Sequence, residues 1–118
     1  MHMMDWNTYR KELFSGVNAL AKLSPETVKA YVKMSGSDPS TTHFDGKTRE
    51  LIAVAVAITL RCDGCIAVHT EAARKLGATK AEIAEAMGVA VSVNAGAAIV
   101  YSTRALDAFD AAEEELTG

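Results

Sequence analysis

Cys62, Cys65 and His69 stand at i, i+3 and i+7 in the chain. On one helix these positions share a face, because residues three and four apart are neighbours. The two cysteines are the only ones present, and their C-x-x-C spacing encloses Asp63-Gly64. Two cysteines cannot staple a secreted scaffold, so the spacing points to redox or metal chemistry. A thiol in the first turn of a helix feels the positive end of the helix dipole, which favours its thiolate. His69, one turn beyond Cys65, is within reach to accept or share its proton. Glu50 precedes the apolar run Leu51-Ile52-Ala53-Val54. A carboxylate in such surroundings is either paired or held neutral, which makes Glu50 the candidate to orient or charge the imidazole.

The same residues admit other readings. The C-x-x-C pair can be an incidental buried pair. Cys62, Cys65 and His69 can be three zinc ligands, although a structural zinc usually wants four. His2 and His43 are the remaining histidines. His69 by itself also fits a satisfied core histidine. Glu50 can serve as the partner of Lys47, Arg49 or Arg61 in a structural ion pair. His43 lies before a helix start and reads as a loop residue, with lining of the site as the alternative.

Helices must position these groups. Trp6, Tyr9, Leu13, Val17 and Leu20 recur every three or four residues, which predicts a helix from Asp5 to about Ala21. Ser24-Pro25-Glu26 is a helix start, with Ser as N-cap and Pro at the first helical position. That helix carries Val28, Tyr31 and Val32 and should end near Ser35-Gly36. The stretch Gly36-Ser37-Asp38-Pro39-Ser40 is turn-like and suits a lid or hinge. Asp45-Gly46-Lys47-Thr48 opens a third helix to about Leu60, so continuously apolar that burial on most sides is expected. Arg61 to Gly64 interrupts it, and a fourth helix runs to Leu76 with Gly77 as its C′ residue. Thr79-Lys80-Ala81-Glu82 is a capping box for the fifth. Gly88 to Val100, rich in small residues, is the expected central packing seam, with a break around Asn94 to Gly96. A last helix is expected from Tyr101 to about Glu115, its acidic end fraying against the dipole. No segment alternates as a strand. The fold class is therefore all-α, a compact bundle of about six helices in one domain over 1–118, with the Cys-x-x-Cys at a helix start.

Composition narrows the partners. The 118 residues are 49% apolar and 23% charged, which excludes disorder for the bulk of the chain. The net charge of −3 leaves no basic surplus for phosphates, so no nucleic-acid partner is expected. Leu51 to Leu60 is the longest apolar run, about half of the ~20 residues that a membrane helix needs. Met1–Asp5 shows neither a charged n-region nor an apolar h-region. The expectation is a cytoplasmic protein with no membrane association. So much apolar material in a short chain also suggests burial between subunits.

Three stretches together resemble a known family. They are Asp45-Gly46-Lys47-Thr48-Arg49-Glu50-Leu51-Ile52, Arg61 through His69, and Gly77-Ala78-Thr79 with Glu82-Ile83. They look like the carboxymuconolactone decarboxylase family, and within it the alkylhydroperoxidase D-like branch. The resemblance covers about half of the chain, Phe44 to Thr103, and its ordered Glu, Cys-x-x-Cys, His pattern is specific. It implies an all-helical fold, a homo-trimer or homo-hexamer, and a thiol peroxidase acting on a hydroperoxide. Cys65 would attack the peroxide and become a sulfenic acid, and Cys62 would condense with it to a disulfide. Glu50 and His69 would relay the activating proton. A dithiol, such as a lipoyl group carried on another protein, would reopen the disulfide, and neither metal nor organic cofactor is implied. Two other activities fit the resemblance: a lactone decarboxylase, and a non-catalytic oligomeric redox sensor. The founding member of the branch carries a histidine between its cysteines where this chain has Gly64. Glu50 lies twelve positions before Cys62, about 18 Å along a straight helix at ~1.5 Å per residue. The chain must therefore fold back after Leu60, or a neighbouring subunit must supply the carboxylate.

Overall fold

The computed structural model describes residues 1–36 and 38–117. Among them are five helices: α1 (Trp6–Leu23), α2 (Pro25–Ser35), α3 (Gly46–Leu60), α4 (Asp63–Lys75) and α5 (Lys80–Thr117). The local signals act much as their chemistry dictates. Asp5 caps α1 and Asp45 caps α3, their carboxylates accepting from Thr8 N at 3.1 Å and Thr48 N at 2.7 Å. Ser24 holds the N-cap position of α2, but its hydroxyl donates to Thr27 Oγ1 and leaves the backbone uncapped. Gly77, at φ +92°, ends α4 in a Schellman turn, with Gly77 N donating to Arg74 O and Ala78 N to Ala73 O. The capping box forms in full: Thr79 N donates to Glu82 Oε1 at 3.0 Å, and Glu82 N to Thr79 Oγ1 at 3.1 Å. Of the turn-like stretch, Ser37 lies outside the described residues. Beyond it, Asp38 gathers Ser40 N, Thr41 N and Thr42 N, so this segment is bonded to itself.

The break expected around Asn94 to Gly96 does not occur, and the expected fifth and sixth helices are one, α5, helical through the acidic run to Thr117. Without proline, one glycine costs a helix only about 1 kcal/mol. Asn94, which reads as part of that break, is absorbed instead by hydrogen bonds. Its Nδ2 donates to Ala90 O of α5 at 2.8 Å and to Thr59 Oγ1 of α3 at 3.0 Å.

α3 packs against α4 and α5, and α1 packs against α2 and α4. The buried apolar residues among those described are Val54 and Ala57 of α3, Ala67 and Ala73 of α4, and Ala90 of α5. Two expectations about packing are overturned. α3 is buried along one face only, with Ile52, Val56 and Leu60 exposed, and the small-residue stretch of α5 is exposed from Val91 onward. The single chain is also extended. Its radius of gyration is 20.2 Å, against roughly 13 Å for a compact chain of this length. Its accessible surface is 9495 Å², against roughly 6,200 Å² for a monomer of this mass. By length and composition alone, α5 is the one helix among the described residues that could cross a membrane, a test that core helices of soluble proteins also pass.

Candidate functional site

The site is made by the link between α3 and α4. Arg61 takes the left-handed conformation, φ 55° and ψ 44°, and ends α3. Arg61 N donates to Ile58 O and Cys62 N to Ala57 O, a second Schellman turn, here with arginine at the position that glycine usually fills. Cys62 then becomes the N-cap of α4. The reversal is complete within two residues, so α4 turns back along α3.

Cys62 and Cys65 are joined as a disulfide, with their Cα atoms 5.3 Å apart. Both are half-buried. Cys65 lies in the first turn of α4, and its amide donates to Cys62 Sγ at 3.2 Å. The sulfur that receives this amide at the positive end of the helix belongs to Cys62. Helix-terminal stabilisation therefore falls first on the N-cap sulfur rather than on Cys65.

His69 lies one turn above Cys65 on α4. Its Nδ1 is 2.7 Å from Glu50 Oε2 of α3, and the two side chains are 30% and 25% exposed. An ionised carboxylate only accepts, so Nδ1 carries the proton and Nε2 is left as the nitrogen that exchanges one. The reversal at Arg61 thus supplies Glu50 from within the same chain, and what it meets is the imidazole. Lys47 is engaged elsewhere, 2.8 Å from Glu82. That contact holds the Glu82 carboxyl below its usual range, chiefly through the Lys47 ammonium and then through the Thr79 amide. Glu82 in turn raises Lys47. His43 is exposed on the segment leading into α3. Among the described residues, no three His, Cys, Asp or Glu side chains are grouped to hold a metal ion.

Gly64 brings a third helix to the site, which the spacing of the chemical residues does not reveal. A Cβ built on it would meet Leu13 and Tyr9 of α1. The periodicity of α1 marks both as facing inward, but nothing in it says that they face the cysteines.

The family model for the carboxymuconolactone decarboxylase family matches residues 25–113. An uncharacterized protein of Haemophilus influenzae is 43% identical over 105 residues, covering 89% of this chain and 93% of its own. An uncharacterized protein of Cupriavidus necator is 29% identical over 107 residues, 91% of this chain and 95% of that one. Among solved structures, the apo form of a carboxymuconolactone decarboxylase family protein from Legionella pneumophila superposes with a TM-score of 0.70. It is 31% identical, covering 89% of this chain and 94% of that one. A protein from Methanobacterium thermoautotrophicum gives 0.64 at 30% identity, over 71% of this chain and 94% of its own.

Proposed function

Because the chain belongs to the carboxymuconolactone decarboxylase family, we propose that it is a thiol-dependent peroxidase of the alkylhydroperoxidase D-like branch. The observation that carries this reading is the Glu50–His69 pair, with the carboxylate from α3 and the imidazole from the helix that the cysteines open. A redox-active dithiol needs a group that takes a proton from one thiol and returns it to a leaving oxygen, and a histidine oriented by a carboxylate is such a group.

In the reduced protein, His69 Nε2 takes the Cys65 proton while Glu50 holds Nδ1–H. The Cys65 thiolate attacks the outer peroxide oxygen, so an S–O bond forms and the O–O bond breaks. The departing alkoxide receives the proton from His69 and leaves as the alcohol, and Cys65 is a sulfenic acid. The Cys62 thiol then attacks that sulfur, expelling water and forming the Cys62–Cys65 disulfide. An external dithiol, such as a lipoyl group on a partner protein, attacks Cys65. Cys62, capped by the Cys65 amide, leaves as thiolate. The second thiol of the reductant closes on the mixed disulfide, and the enzyme is again reduced.

The working form is a homo-oligomer, a trimer or hexamer. Its support is the surface excess on the order of 3,000 Å² over a compact monomer, the range of obligate subunit interfaces. Val91, Val93, Ile99, Val100, Leu106 and Phe109 of α5 are the apolar surface that a second copy would cover.

The test is steady-state consumption of an organic hydroperoxide with dihydrolipoamide as reductant. Turnover that disappears in Cys65→Ser is the expected result. Full turnover in that variant, or none in the wild type, overturns the reading.

A further inference from the structure

Of the two residues between the cysteines, Asp63 and Gly64, the second has no side chain, and α1 crowds the space that one would take. A Cβ on Gly64 would lie 3.0 Å from Leu13 Cδ2, 3.6 Å from Leu13 Cδ1 and 3.7 Å from the Tyr9 hydroxyl. A contact at 3.0 Å is tighter than ordinary van der Waals packing, so a side chain at 64 would require Leu13 to give way by a few tenths of an ångström. Tyr9 and Leu13 are four residues apart on α1 and share a face.

That face is anchored. Arg10, between them, donates from Nε to Ala67 O of α4 at 2.8 Å. Its guanidinium also reaches the Glu71 carboxylate at 2.8 Å, and its side chain is only 14% exposed. Trp6 meets the Tyr9 ring edge-on, with centroids 6.4 Å apart. Glu50 and His69, which meet between α3 and α4, are by contrast partly open, at 25% and 30% exposure.

We propose that Leu13 and Tyr9 are specificity-determining residues of the redox site. They close the Gly64 side of the Cys62–Cys65 pair, so reactants reach the sulfurs from the Glu50–His69 side, and they set how bulky those reactants can be. The proposal rests on the pair being redox-active, but it does not depend on which oxidant the protein uses.

The experiment measures alkylation rates of the reduced, full-length protein with iodoacetamide and with a bulky N-aryl maleimide. Leu13→Ala should raise the maleimide rate about tenfold while iodoacetamide changes less than about twofold, the scale on which a few methylenes discriminate. Tyr9→Ala should move the ratio in the same direction. Adding Gly64→Ala to Leu13→Ala refills part of the volume and should return the ratio toward wild type, which general loosening of α1 would not produce. If Leu13→Ala does not fold, Leu13→Val carries the same comparison. Equal acceleration of both reagents, or no change in either, overturns the proposal. Alkylation is read without peroxide, so absent turnover alongside the expected ratios would count against the peroxidase alone.

Discussion

Glu50 Oε2 and His69 Nδ1 meet at 2.7 Å across the α3–α4 reversal, although nineteen positions separate them in the chain. The contact fixes the imidazole tautomer. It also sets the imidazole one turn above Cys65, while Cys62 caps α4 and Cys65 lies in its first turn.

Glu50→Gln keeps the shape of that contact but removes the charge. Peroxide turnover (kcat/KM) is expected to fall between about tenfold and a hundredfold, the usual cost of losing an orienting partner. His69→Asn removes the exchanging nitrogen and should cost about 10²- to 10⁴-fold. Rates across pH check this, because a merely structural loss would lower the profile without changing its shape.

Arg61 adopts a left-handed conformation that costs a residue with a Cβ roughly 1 kcal/mol or more. Arg61→Gly should therefore raise the unfolding free energy by about 0.5–1 kcal/mol, after the extra backbone entropy of glycine is set against the relieved strain. Denaturant titration reads it. Arg61→Val, β-branched at the same φ, should move stability the other way.

Lys47 and Glu82 tie α3 to the start of α5 at 2.8 Å. The carboxyl of Glu82 is lowered from its ordinary 4.5, so its contribution is present above that value and is lost as pH falls through the lowered one. Lys47 is raised from its ordinary 10.5, so its contribution is present below that value and is lost as pH rises through the raised one. Asp45, lowered by the Thr48 hydroxyl and amide, adds to the acid side. Thermal midpoints should hold between these limits and fall below about pH 4.5, with a shallower acid limb in Glu82→Gln.

The apolar outer half of α5 predicts that the isolated chain is not the species in solution. Light scattering should give a mass several times the 12.5 kDa of one chain. Ile99→Asp together with Phe109→Asp, both at exposed positions of α5, should lower that mass. An unchanged mass, or a wild-type mass of one chain, would remove the oligomer reading.

Much of the fold is legible in the sequence, because it depends on short-range chemistry. Asp5, Asp45 and the Thr79–Glu82 box announce helix starts through groups at most three residues away. Gly77 announces a helix end through its own backbone freedom, and Cys62, Cys65 and His69 share a face by spacing alone. Asn94 and Gly96 misled because the same small polar residues mark either a turn or a close helix contact. Asn94 Nδ2 donates both to Ala90 O in α5 and to Thr59 Oγ1 in α3, a choice that only a neighbouring helix can settle. Likewise, an apolar run predicts that α3 must be covered, but not whether its own chain covers it.

The helical class, most helix ends and the shared face of Cys62, Cys65 and His69 follow from contacts within about two helical turns, and so can be read along the chain. That Glu50 reaches His69 from the same chain, and that α1 stands against Gly64, is visible only in the folded chain. The physical reason is that both depend on how the chain reverses at Arg61 and where α1 docks. These are set by packing between distant elements, which spacing along one helix does not encode.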